Sequence, residues 1–209
     1  MKMYQSRNEK NENVSISAGN AKMGAIPSVS LPACTTCNPA APCFKSCYAR
    51  RIEARRASVR EAYARNLDVL IENPRAYWLQ VRAAACVTRF FRFHVSGDMP
   101  NAEYLREMVI TARELPGTQF LAFTKQFHIV NEYINAGGII PANLKIIFSN
   151  WGEWKCDNPH GLPVCELILK GSEPADDWKI CGGNCTDCAC RGVGCWEIKN
   201  GETIAIYQH

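Results

Sequence analysis

RFFRFHVSGDMPNAEYLREMVITARELPGTQFLAFTKQFHIVNEYINAGGIIPANLKIIFS, residues 89–149, decides the fold. Residues 89–95 are aromatic and β-branched, and Ser96-Gly97-Asp98 ends that run as a strand would end. Pro100 and Asn101 open a helical pattern that reaches about residue 114, with Pro116-Gly117 as its stop. Residues 119–124 read as a second strand, residues 127–136 as a helix closed by Gly137-Gly138, and residues 144–149 as a third strand. Strand and helix alternating over short links is the pattern of a parallel sheet with crossover helices.

Upstream, residues 13–31 hold β-branched residues and glycines, enough for one or two short strands. A helical texture without glycine covers residues 48–72, Asn73-Pro74 breaks it, and a second helix follows over residues 75–87. The whole supports about four to six βα units, fewer than the eight of a closed barrel. An α/β chain with an open or partial (βα) barrel is therefore expected. Its divisions are a disordered polar tail over 1–12, the partial barrel over 13–155 and a cysteine-rich extension over 156–209.

Composition narrows the class. The chain has 209 residues, 47% hydrophobic and 21% charged, which is ordinary globular usage and excludes wholesale disorder. No apolar run approaches a membrane span, so no membrane partner is expected. The polar start, MKMYQSRNEKNENVS, has no apolar core of a secretory signal, and a cytoplasmic location is expected. A net charge of +4 does not by itself imply a nucleic-acid partner.

Twelve cysteines are the anomaly. In a reducing compartment they argue for metal or cluster ligation rather than disulfides. Cys34, Cys37, Cys43 and Cys47 fall in one loop whose Pro39 and Pro42 disfavour helix. Cys181, Cys185, Cys188, Cys190 and Cys195 fall in a second run, where glycines let the backbone wrap closely around an inorganic core. Short spacings bring thiolates to one centre, and two chemistries use them. Tetrahedral zinc takes four ligands, often as paired CxxC knuckles; 4Fe–4S clusters take a compact run plus a more remote cysteine. Five cysteines exceed one site, and Cys34 could serve either centre.

Parallel sheets put their chemistry at the C-terminal strand ends. There the sequence offers Cys37, Cys43 and Cys47, then His94, Ser96, Gly97 and Asp98, then Thr124 and Lys125, then Ser149, Asn150 and Trp151. A cluster held by three cysteines leaves one iron open for the amino and carboxylate groups of S-adenosylmethionine. Gly97 permits close approach and Asp98 supplies charge for an ammonium. Ser96, Gly97, Asp98, Thr124, Lys125 and Asn150 are thus the candidate cofactor contacts.

Cys37-x5-Cys43-x3-Cys47-Tyr48-Ala49, His94-Val-Ser-Gly-Asp98 and Phe123-Thr124-Lys125 together resemble the phage gene product eighty-eight family. Gly19-Asn-Ala-Lys-Met-Gly24 and the cysteine run ending at Trp196 extend the resemblance from about residue 13 to the end. The layout is similar to that of radical S-adenosylmethionine enzymes, with Ser-Gly-Asp in place of their Gly-Gly-Glu stretch. The resemblance implies an iron–sulfur enzyme that cleaves S-adenosylmethionine reductively, abstracts hydrogen from an unknown substrate and draws electrons from a flavodoxin or ferredoxin type of donor. One departure matters: CxxxCxxC spacing, usual on the first loop of such enzymes, occurs here at Cys181, Cys185 and Cys188. That run follows the expected sheet, precedes no obvious barrel strand and reads as an auxiliary cluster, the first loop holding the radical cluster; the opposite assignment is the alternative. If Cys34 completes the first cluster, no open iron remains and the chain is a non-catalytic electron carrier.

Blander readings stand beside these. His94 can be a core histidine, Asp98 a turn residue, Lys125 a solvated lysine, and Cys86 a buried small apolar residue. Cys156-x3-His160-x4-Cys165 reads as ordinary loop, with a zinc-like trio as the alternative, and Trp151, Trp154, Trp178 and Trp196 as packing. Residues 43–65 carry seven basic residues against Glu53 and Glu61. A solvated helix face explains them; an anionic substrate or a nucleic acid is the functional reading, and a zinc-stabilised nucleic-acid-binding protein is the rival class.

Overall fold

A computed structural model describes residues 12–169 and 171–207. In chain order the elements are β1 (Ile16–Ser17), β2 (Ser28–Val29), a 3-10 turn (Pro42–Ser46), α1 (Tyr48–Arg55), α2 (Ala57–Glu72), α3 (Pro74–Ala85), β3 (Phe90–Phe93), α4 (Ala102–Glu114), β4 (Gln119–Thr124), α5 (Phe127–Asn135), β5 (Leu144–Ser149), β6 (Val164–Ile168), β7 (Lys179–Ile180), α6 (Cys185–Arg191), a second 3-10 turn (Gly194–Trp196) and β8 (Thr203–Tyr207). The strands form one sheet in the order β1-β2-β3-β4-β5-β6-β8-β7. Only the β1–β2 pair is antiparallel; every other neighbouring pair is parallel. The alternation read from residues 89–149 is present throughout. The expected tail over 1–12 lies, Glu12 apart, outside the described residues.

Alternation along each strand sends side chains to two faces. On one face Phe91, Phe93, Phe120, Ala122, Ile146 and Phe148 pack against α3, α4 and α5 through Trp78, Val81, Leu105, Met108 and Val130. On the other, Leu121, Ile147, Cys165 and Ile204 meet Met23, Cys188, Trp196 and Ile198. The cysteine-rich segment is therefore the second cover of the sheet. Helix ends follow their sequence signals: Asn73, Asn101 and Asn184 cap α3, α4 and α6 by accepting from Ala76, Tyr104 and Asp187 backbone N–H groups.

Four features differ from expectation. The helix over 48–72 is two helices, broken at Arg56, which is extended at φ −127° and ψ 94°. The halves are tied to different partners: Glu53 of α1 reaches Ala33 and Ser96, whereas Asn66 of α2 reaches Ser15 and Ser30. Second, the cysteine run does precede a strand. Thr203–Tyr207 inserts between β6 and β7, and β6 itself comes from the stretch read as loop. Third, Cys165 is buried within β6, not a loop residue. Fourth, Cys86 is exposed past the end of α3, its thiol donating to the Ala83 carbonyl at 3.2 Å. Among the described residues no helix is long and apolar enough to cross a membrane.

Candidate functional site

The first cysteine loop leaves β2 and is pinned at its root. Leu31 N donates to Ser96 O at 3.1 Å, and Ala33 N donates to the Glu53 carboxylate at 2.9 Å. Cys34 follows in the left-handed region at φ 64°, and its thiol faces the Phe44 carbonyl. Thr36 then takes the Asp98 amide on its hydroxyl at 3.0 Å, and its carbonyl accepts from the Gln126 amide group. Pro42 starts the 3-10 turn that holds Cys43, and Cys47 stands at the N-cap of α1. Asn38 Nδ2 donates to Lys125 O at 3.1 Å, and Tyr48 OH to Val95 O at 2.9 Å. The loop is thereby held over the C-terminal ends of β3 and β4.

Asp98 is the hub of this end. Oδ1 accepts from Met99 N and Thr124 Oγ1, both at 2.8 Å, and Oδ2 accepts from Lys125 N at 2.8 Å. Burial nonetheless raises its pKa to about 6, the hydrogen bonds pulling the other way. Gly97, at φ +73°, lets the turn touch β2's exit: a Cβ there would lie 2.7 Å from Leu31 O. Lys125 Nζ donates to Ser149 Oγ at 2.6 Å and stands 5.8 Å from the Trp151 ring centre. Ser96, Gly97, Asp98, Thr124 and Lys125 are thus brought together beside the cysteine loop. Asn150 turns elsewhere, donating to Glu166 Oε1 at 2.6 Å and accepting from Cys156 N. His94, at φ 58°, is buried with Nε2 against Tyr104 OH at 3.1 Å.

The loop thiols sense one another. Burial, then the charge and hydrogen bond of Cys47, push Cys34 up. Burial raises Cys37 to about 12, with Asp98, Cys34 and Cys47 adding to it. Burial raises Cys43 too, opposed by Lys125 and reinforced by Cys47 and Asp98. Thiols in this state are costly to ionise until a cation or cluster supplies positive charge. Cys34 belongs with this group.

A second thiol group lies on the sheet face opposite α3–α5. Cys165 and Cys188 are buried there, with Cys181, Cys185 and Cys195 packed alongside. Burial and then Cys181 and Cys165 raise Cys195. Burial raises Cys185, with Arg92 opposing and Cys181 and Cys188 reinforcing. Cys190 is exposed on α6. Arg92 of β3 is the nearby cation, 3.3 Å from Met23 Sδ and 4.9 Å from the Phe123 ring centre. Both groups are all-thiol, the donor type that iron–sulfur groups and structural zinc alike take. Among the described residues no three His, Cys, Asp or Glu side chains are set to hold a single metal ion.

Sequence reasoning passed over Glu53, Thr36 and Cys165. Glu53 is buried and joins the loop to Ser96, yet it stands in a basic stretch that reads as solvated surface. Thr36 has no local signal for its distant partner. Cys165 had one: Val164–Ile168 is a short strand-like run. The basic residues Arg50, Arg51, Arg55 and Arg56 are exposed, as a solvated face or an anion-binding one requires.

The family profile described as Gene product 88 matches residues 1–190. No curated protein and no solved structure matches.

Proposed function

The chain belongs to the Gene product 88 family, and from that premise we propose that it is an iron–sulfur enzyme of the radical S-adenosylmethionine type. The observation behind this reading is the meeting of two stretches distant in sequence. The thiols of Cys37, Cys43 and Cys47 stand over the strand ends where Ser96–Asp98 and Thr124–Lys125 converge. The succession β2-β3-β4-β5-β6-β8, all parallel, is also the arrangement a partial (βα) barrel requires.

Within this reading Cys37, Cys43 and Cys47 hold the first cluster, and a second cluster rests on the C-terminal cysteines. S-adenosylmethionine, when bound, supplies reductive carbon–sulfur cleavage and hydrogen abstraction. The chain's residues do the rest. Lys125 offsets the negative charge of the Cys43 thiolate. Both oxygens of Asp98 are engaged, so its part is to brace the turn that presents Ser96 and Gly97. Exposed arginines on α1 suit an anionic substrate or the acidic face of a flavodoxin- or ferredoxin-type donor.

Anaerobic reconstitution followed by dithionite should release 5′-deoxyadenosine from S-adenosylmethionine. No release with both clusters intact refutes the enzyme reading. A second reading has its own observation: Cys34 lies against Cys47. If Cys34 is the fourth ligand, the first cluster is closed and the protein transfers electrons. Cys34→Ala separates the two, because it leaves an enzyme's first cluster in place and strips a carrier's of a ligand.

A further inference from the structure

We propose that Cys165 is a ligand of the second cluster, its partners drawn from Cys181, Cys185, Cys188 and Cys195, and that Cys190 is not. The inference rests on the iron–sulfur reading above and names which thiols serve it.

Register gives the geometry. Cys165 pairs with Ile204, and Ile180 pairs with Ala205, so β8 lies between β6 and the strand leading into Cys181. Cys181 N donates to Ala205 O at 2.9 Å, which continues that ladder and sets Cys181 beside Ile206. Ile204 and Ile206 are two apart on β8 and share a face. Cys165 and Cys181 therefore project from one face of the sheet, on the two strands flanking β8. The same apolar cluster gathers Cys185 and Cys195 onto that face. Cys185 is fixed there by its N–H on Lys22 O at 2.9 Å and by Trp196 Nε1 on its carbonyl at 3.2 Å.

Cys165 is otherwise an odd occupant. It is 5% exposed in a strand where valine or isoleucine would pack as well. It is also the one member of the set outside the C-terminal run, the remote ligand that compact cluster motifs often take. On binding, each thiol gives its proton to solvent and its thiolate to iron.

The test is iron and acid-labile sulfide per chain after anaerobic reconstitution. Wild type should hold about eight of each and Cys190→Ala the same, whereas Cys165→Val should hold about four. Valine keeps the strand and the packing, and a melting curve of the metal-free variant matching wild type verifies the fold. Should Cys165→Val fail to fold, Cys165→Ser serves in its place. Its hydroxyl should alter the electron paramagnetic resonance of the reduced second cluster, and an unaltered spectrum overturns the assignment. Full occupancy in Cys165→Val, or loss of four irons in Cys190→Ala, overturns this ligand set alone. A wild-type chain that takes up no iron overturns the parent reading with it.

Discussion

Removing the Glu53 carboxylate should loosen the root of the first cysteine loop. Oε1 accepts from Ala33 N at 2.9 Å and from Ser96 Oγ at 2.8 Å, and Glu53 is only 8% exposed. In Glu53→Ala both donors lose their partner in a site closed to water. An unsatisfied buried donor costs about 1–3 kcal/mol. Relief from burying a carboxylate offsets part of this, so the net loss should be about 2–3 kcal/mol. At about 2–4 °C per kcal/mol for a chain of this size, the melting temperature should fall by about 4–12 °C. Glu53→Gln keeps one carbonyl oxygen at the same place and should lose about 1 kcal/mol. Urea unfolding of the metal-free protein, followed by far-ultraviolet circular dichroism, gives the free energies. Amide exchange at Ala33 separates loop release from global unfolding. If Glu53→Ala stays within about 0.5 kcal/mol of wild type, or Glu53→Gln is as harmful as alanine, the carboxylate is not what fastens the loop.

Acid should act through two buried groups of opposite sign. His94 has its pKa lowered to about 3 by burial and Arg92, from an ordinary 6.5. Below 6.5 the unfolded chain binds a proton that the native chain refuses, so stability is lost as pH falls, by about 2 kcal/mol at pH 5. Asp98, raised to about 6, does the reverse: the native state keeps its proton longer, and stability is regained as pH falls from 6 towards 4. His94→Asn, which tolerates the φ of 58°, should therefore gain about 2 kcal/mol on wild type between pH 7 and pH 5; identical urea profiles for the two would refute this. Gly97→Ala should cost more than about 2 kcal/mol, since its Cβ meets Leu31 O as well as a strained φ. Gly137→Ala, at φ +84° with open space around the Cβ, should cost about 1 kcal/mol, and equal midpoint shifts would argue against the contact. Asn66 is wholly buried and bonds Ser15 N, Ser15 O and Ser30 O. Asn66→Leu should cost about 3 kcal/mol and speed amide exchange at Ser15; unchanged exchange would show that β1 does not depend on it.

The centre of the fold was legible because residues 89–149 alternate strand and helix, with glycine or proline at the stops after β3, α4 and α5. The flanks were harder. Thr203–Tyr207 is only five residues long and follows a turn, so its strand character emerges only when β6 and β7 are there to pair with it. Arg56 carries no breaker signature; the break follows from Glu53 and Asn66 being pulled to different anchors. The first cysteine loop and the Ser96–Lys125 constellation could be read from strand ends, and the second cysteine group from its density in the chain. Thr36 bonding the Asp98 amide, and Cys165 joining thiols beyond residue 180, could not, because each depends on contacts across many residues with no local pattern.

The central seat of β8 has a consequence for how the protein matures. Among the described strands β7 pairs with β8 alone, and β8 separates it from β6. One wall of the second thiol group thus hangs on a strand that follows every cysteine in the sequence. A nascent chain stopped after Trp196 would own every cysteine yet lack the strip that brings Cys165 and Cys181 to a common face. On the cluster reading proposed above, loading of that group would wait for Thr203–Tyr207 to pair, and a nick near Lys199 would undo it.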